Sequence, residues 1–196
     1  MPPDESVSTD ASQNRETTWE STAVPTERAV LIAAIDVSAI QPMLSGNMNP
    51  RVRAATAADL IFIIDANRAL AAETEGVQLD VDTLRAGVEA LLGGQAPGRY
   101  WIAERDGRSV GQLLITFEWS DWRNRMVWWI QSVYVEPSAR RHGVFRALYT
   151  HARRDARAAG AAGLRLYVDV TNARAQAVYE AMGMNGGHYR VFEEMF

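Results

Sequence analysis

Residues 133–145 read Val133-Tyr134-Val135-Glu136-Pro137-Ser138-Ala139-Arg140-Arg141-His142-Gly143-Val144-Phe145. The apolar run is expected to be a strand that ends at Pro137, because proline cannot donate to a ladder. A basic turn and Gly143 follow, and then apolar residues return at helical spacing, with Phe145, Leu148, Tyr149, Ala152 and Ala156 on one side of a helix over about 144–159. Glycines at 160 and 163 close that helix, and 164–170 reads as another strand. Two strands joined through a helix pair in parallel with a right-handed crossover, so this stretch alone makes the chain α/β.

Working back toward the N-terminus, 126–135 is one long strand, preceded by the polar turn 120–125. Residues 100–104 and 110–119 flank Asp106-Gly107, the dipeptide preferred in a two-residue hairpin. Leu84, Val88, Leu91 and Leu92 put an apolar stripe on a helix started by Asp82 and ended by the glycines of 93–98. Leu60, Ile61, Ile64 and Leu70 do the same for an earlier helix, and Thr56 three residues before Asp59 resembles a capping box at its start. Residues 51–55 form a first short strand. Toward the C-terminus, 173–182 reads as a helix with Ala175, Val178, Tyr179 and Met182 on one face, and 188–196 as a final strand. The expected architecture is a mixed, mostly antiparallel sheet with a central parallel strand pair and flanking helices.

The 196 residues, 47% hydrophobic and 22% charged, suit one domain with a tail. The absence of cysteine removes disulfides, thiolate-bound zinc, iron–sulfur clusters and a cysteine nucleophile. All 20 basic residues are arginine, which removes the enzymes that need a lysine amine: Schiff-base enzymes, phosphate-loop NTPases and protein kinases. His142, His151 and His188 lack the i, i+4 spacing of a helical zinc site, so no metal is expected. Residues 1–50 hold seven acids against Arg15 and Arg28, a balance of −5, so the other 146 residues carry +1 of the net −4. A near-neutral body attracts nucleic acid poorly, and the expected partner is small.

Residues 1–27 are too rich in Ser, Thr, Glu and Pro to bury a core. The apolar run 29–40 is shorter than the roughly 20 residues a spanning helix requires, and it lacks the basic start of a secretory signal. The expectation is a disordered acidic extension over 1–47, a folded domain over 48–196, and a cytoplasmic location without membrane contact.

The first turn of a helix offers unpaired N–H groups and the positive end of its dipole, so a phosphate-bearing ligand can bind before Val144 if no Cβ obstructs it. Gly143 supplies that clearance, and Arg140 and Arg141 add charge. The plainer reading is that Gly143 relaxes a tight turn and the arginines are solvated. Glu118 interrupts an apolar strand beside Trp119, where an acid among aromatic rings can act as a base, or can lie on the wet face by simple alternation. Trp119, Trp122, Trp128 and Trp129 can cradle an ammonium group or can be core and interface residues. His142 and His151 read as positional, and His188, near the last expected strand, is a candidate to touch a substrate.

With Arg140, Gly143 and the preceding Val133, Val135 and Pro137, the sequence resembles the GNAT superfamily of acyl-CoA-dependent N-acetyltransferases. That signature runs Arg or Gln, two residues, Gly, one residue, Gly or Ala; Phe145 stands at the last position. Asn172, Ala173, Tyr179 and Gly183 resemble the family's second block, and the likeness covers about 51–196. The resemblance implies that the strands ending at Val135 and near Val170 splay, so that the pantetheine of acetyl-CoA pairs with the backbone of the run Val133, Tyr134, Val135. It implies that the diphosphate sits on Arg140, Arg141, His142, Gly143, Val144 and Phe145, with Asn172 near the pantetheine. It makes Tyr179 the general acid that protonates the leaving thiolate; packing alone is the other reading of that tyrosine. Glu118 is the candidate base, with a water chain to a backbone carbonyl as the alternative.

The family usually carries two strands after the last helix, and this chain has room for one. The resemblance therefore implies an open sheet edge and a homodimer that covers it. The expected function is direct acetyl transfer from acetyl-CoA to a primary amine of a small molecule or protein. The contrasting reading is a non-catalytic acyl-CoA-binding regulatory module.

Overall fold

The computed structural model describes residues 49–187, 189–194 and 196, so the expectations for 1–47 and for His188 lie outside the described residues. Five strands form one sheet in chain order: β1 (Arg51–Ala54), β2 (Gly98–Arg105), β3 (Arg108–Ser120), β4 (Arg125–Val135) and β5 (Gly163–Leu166). The first four pair antiparallel and β4–β5 is parallel. Helices α1 (Leu60–Glu75) and α2 (Val81–Leu92) cover one face, and α3 (Val144–Ala158) and α4 (Ala173–Ala181) the other.

Alternation along the strands builds two cores. Leu113, Ile115, Trp128, Ile130, Val133 and Val135 pack against Leu148, Tyr149, Ala152, Val178 and Tyr179 of α3 and α4. Tyr100 and Ile102 face Ile63, Ile64 and Val88 of α1 and α2. At Asp106-Gly107 both residues take positive φ, 52° and 74°, as the hairpin between β2 and β3 needs. A Cβ at Gly111 would lie 3.0 Å from the Tyr134 carbonyl and from Val144 Cγ1. The missing side chain lets the start of α3 rest directly on the sheet.

Four expectations need correction. The strand expected over 164–170 stops at Leu166, because the chain then turns outward and leaves Val170 exposed. The strand expected over 188–196 does not form among the described residues; Tyr189, Val191, Phe192 and Phe196 are all exposed, and the β4–β5 pair therefore sits at the sheet edge rather than at its centre. Ile61 faces solvent while Ile63 takes the buried place on α1. Asp80, not Asp82, caps α2, its Oδ1 accepting the Thr83 N–H at 2.8 Å.

The Thr56–Asp59 signal is realised with an addition. The Asp59 carboxylate accepts the Thr56 N–H at 2.8 Å, and Arg53 of β1 donates to both its oxygens at 2.7 and 2.8 Å. Arg53 Nε also reaches Glu104 of β2 at 2.6 Å. These bonds hold the Asp59 carboxyl below the usual carboxylate range, Arg53 first, against the opposing effect of burial. A depressed native pKa gives stability that is present above the unfolded value of about 4 and lost as pH falls through the native one. Asp59→Asn is expected to lower stability by about 1–3 kcal/mol at neutral pH. Thermal melts from neutral to acid pH check this, since the gap to wild type should narrow as the solution becomes acidic.

Candidate active site

The parallel pair is short. Its rungs run only from Val127↔Gly163 to Ile130↔Leu166, although β4 continues five residues further to Val135. On its other edge β4 stays with β3 as far as Gly111↔Val135, and an irregularity between Leu114 and Ile115 leaves Gln131 as an extra residue on β4. Such a bulge bends a strand and raises its twist, here just where β5 ends.

Glu136 donates its N–H to Val110 on the β3 side at 2.9 Å. By strand alternation Tyr134 also turns its backbone to β3, and Val133 and Val135 turn theirs to the open edge. One of these groups is taken: the Val135 carbonyl accepts Arg140 Nε at 2.9 Å. The others need partners that no neighbouring strand supplies among the described residues.

After β4 the chain makes a single 3-10 turn over Pro137–Ala139 and enters α3 through two left-handed residues, Arg141 (φ 68°) and Gly143 (φ 76°). The first intrahelical bond is Ala147 N–H to the Gly143 carbonyl, 3.0 Å. The amides of Val144, Phe145 and Arg146 therefore have no acceptor within the helix. Left-handed residues beside right-handed ones turn successive N–H groups into a concavity that suits an anion. A Cβ at Gly143 would meet nothing within 4 Å, so the chain is open beside the turn at that residue.

Arg141 and His142 lie exposed at its rim. Arg140 is engaged elsewhere, in a 2.6 Å ion pair with Glu73 of α1 and over the Tyr134 ring at 5.7 Å. Tyr134 OH lies 3.4 Å from the same Glu73. Glu73 was not legible as a site neighbour, because 67 residues separate it from Arg140 and only the packing of α1 on the sheet joins them.

Phe145 turns its ring away from the turn toward Tyr149 and Tyr179, centroids 6.0 and 6.1 Å apart. Tyr179 of α4 is buried in the core, and its hydroxyl has no hydrogen-bond partner among the described residues. Burial raises its pKa far above the ordinary phenol value, so at neutral pH it is a protonated donor without an acceptor. Such an orphan is unfavourable in a folded core. Asn172 caps α4, its Oδ1 accepting the Ala175 N–H at 3.0 Å, and so fixes the helix that carries Tyr179.

Glu118 lies on the sheet's other face. Its Oε1 accepts Arg165 Nη1 of β5 at 2.8 Å, and its Oε2 accepts the indole N–H of Trp129. The fold thus gives this acid a cationic partner as well as the aromatic neighbour expected. Tyr167 packs on Trp129 at 4.5 Å, and Arg165 lies over the same indole at 5.6 Å. Of the other tryptophans, Trp128 is core, stacked on Trp101 at 5.9 Å, whereas Trp119 and Trp122 are exposed. His151 packs edge-on against Trp101, away from the turn, which agrees with a positional role. Arg165 and Tyr167 escaped the sequence reading because their partners, Glu118 and Trp129, lie on other strands and only the sheet brings them together.

A family profile described as "Acetyltransferase (GNAT) family" matches residues 66–184. A possible acetyltransferase from Clostridium difficile 630 is similar over 75% of this chain and 97% of its own, with 39% identity and a TM-score of 0.70. A crystal structure of a probable acetyltransferase is 25% identical over 74% of this chain and 97% of its own, TM-score 0.66. An aminoglycoside N-acetyltransferase in complex with CoA shares the fold at 19% identity, TM-score 0.64, over 78% of this chain and 99% of its own. No curated protein matches.

Proposed function

Since the chain belongs to the GNAT acetyltransferase family, we propose that it transfers an acetyl group from acetyl-CoA directly to a primary amine. The observation that carries this reading is the buried Tyr179 hydroxyl, without a hydrogen-bond partner among the described residues, on the same side of the sheet as Val133, Val135 and the start of α3. One extended thioester nucleotide reaches that hydroxyl, the β4 edge beyond the last β5 rung and the first amides of α3 together. Its diphosphate lies on the amides after Gly143, with Arg141 and His142 at the rim and Val144 and Phe145 supplying N–H groups. Its pantetheine amides pair with Val133 and the N–H of Val135, beside Tyr134, with Asn172 lining the channel. Arg140 holds the strand end in place through Val135 and Glu73 rather than by open charge.

The chemistry draws on both faces of the sheet at the point where β4 and β5 part, Tyr179 on one and Glu118 on the other. Glu118 takes one proton from the incoming ammonium, and the nitrogen lone pair then bonds to the thioester carbonyl carbon. The C–S bond breaks, the Tyr179 hydroxyl delivers its proton to the leaving sulfur, and the second nitrogen proton restores the phenol. One proton is released to solvent through Glu118. A direct ternary complex is required, since the chain offers no cysteine to carry the acetyl group.

The test is calorimetric titration of the purified chain with acetyl-CoA, followed by thiol release with a panel of amines. Binding with amine-dependent release supports the enzyme; binding without release from any amine would favour the regulatory module. Glu118→Gln is expected to lower kcat by about tenfold or more and to remove the acidic limb of the pH–rate profile. An unchanged profile assigns the proton to a water chain instead. A homodimer across the open β5 edge belongs to the same proposal, and a monomer mass in light scattering counts against it.

A further inference from the structure

Resting on that reading, we infer that the acceptor is a small amine that also carries a carboxylate, an amino-acid-like zwitterion, and that Arg165 is the residue that selects it. Glu118 on β3 and Arg165 on β5 meet across β4, over Trp129, in a 2.8 Å ion pair. Trp129↔Arg165 is the rung before the last one, Ile130↔Leu166, so the pair stands at the point where the two parallel strands part. That is also where an acetyl group held along the open β4 edge would emerge. Neither charge is buried: the side chains keep 33% and 41% of their surface. The pair is therefore open to exchange, unlike a buried bridge whose breaking would leave a charge stranded.

The rings around the pair complete the argument. The indole N–H of Trp129 holds one Glu118 oxygen, and the Trp129 and Tyr167 rings offer an apolar wall beside both charges. Arg165 also lies over the Tyr189 ring, 6.0 Å from its centroid.

An amine that enters alone and takes Glu118 displaces Arg165 and leaves a guanidinium without its carboxylate. A polycation adds repulsion from Arg165 to that loss. A zwitterion exchanges the internal pair for two matched ones, its ammonium on Glu118 and its carboxylate on the planar fork of Arg165, so no charge is left over. A site built to bind a polar group rejects the analogue that lacks it, because the site's own group is then unpaired.

The experiment uses the full chain with saturating acetyl-CoA and measures thiol release with the proteinogenic amino acids, with the amine formed by removing each carboxylate, with spermidine and with kanamycin. The amino acids turned over are expected to exceed their decarboxylated partners at least about tenfold in kcat/KM, as loss of a charge-assisted bond implies. Arg165→Gln should bring that ratio close to one, mainly by raising KM for the amino acid, and Arg165→Lys should keep part of it. Calorimetry with acetyl-CoA on each variant shows whether the nucleotide site is intact. The inference is overturned if spermidine, kanamycin or the decarboxylated amines are preferred, if no amino acid is turned over, or if Arg165→Gln lowers both members of each pair alike. Absence of acetyl-CoA binding to the wild-type chain instead removes the acetyltransferase reading beneath it.

Discussion

Tyr179→Phe is expected to lower kcat by about 100- to 1000-fold, the usual weight of a positioned general acid, while leaving the folded protein as stable as before or slightly more so. The two halves of this result have one cause. The Tyr179 hydroxyl is buried and bonds to nothing among the described residues, so it costs the fold a desolvated donor that phenylalanine lacks. The ring keeps its contacts with Phe145 and the core in either case. A tyrosine retained only for packing predicts the reverse, an unchanged kcat. Steady-state kinetics and a thermal melt on the same preparation separate the two, and the KM for acetyl-CoA should move little, because the hydroxyl acts on the departing sulfur and not on the bound ground state.

Gly143→Ala is expected to weaken acetyl-CoA binding by at least about tenfold, a loss of about 1.4 kcal/mol or more. Two separate effects are involved. The φ of 76° disfavours any residue with a Cβ, which by itself lowers stability by about 1–2 kcal/mol. The new methyl meets no protein atom within 4 Å, so it projects into open space beside the start of α3. A phosphate oxygen must come within about 3 Å of the α3 amide nitrogens to bond, and the methyl holds it off. Gly143→Asn separates the effects, since asparagine tolerates the left-handed region yet still carries a Cβ. It should recover stability but not affinity. Equal acetyl-CoA affinity in all three proteins would move the nucleotide away from this turn.

Much of the sheet was readable in advance because its signals are local. Asp106-Gly107 between apolar runs fixes a hairpin, Pro137 ends β4, and the spacing from Leu148 to Ala156 can only be one face of a helix. The errors fall where local pattern is weak or where a distant partner decides. Ile61 and Ile63 are equally apolar, and only the seating of α1 on the sheet sends the first outward. The stretch 188–196 alternates well enough to be a strand, yet a strand needs a neighbouring edge to pair with, and composition does not say whether the chain comes back to one.

The candidate site divides in the same way. Gly143, the two arginines and the tyrosine of α4 were visible as residue types in a spacing that chemistry can use. That Arg140 pairs with Glu73, that Glu118 pairs with Arg165, and that Tyr179 keeps an unanswered hydroxyl were not visible.

By itself the sequence determined the order of strands and helices as far as α4, the helix start that can receive a phosphate, and the chemistries that lacking cysteine and lysine forbids. These depend on neighbours a few residues apart, whose steric and hydrogen-bonding rules hold in any surroundings. Only the tertiary structure decided where β4 and β5 part, which charges answer each other, and which hydroxyl is left without a partner. The two ion pairs join residues 47 and 67 positions apart, and a side chain's partner at that distance is set by how whole elements pack.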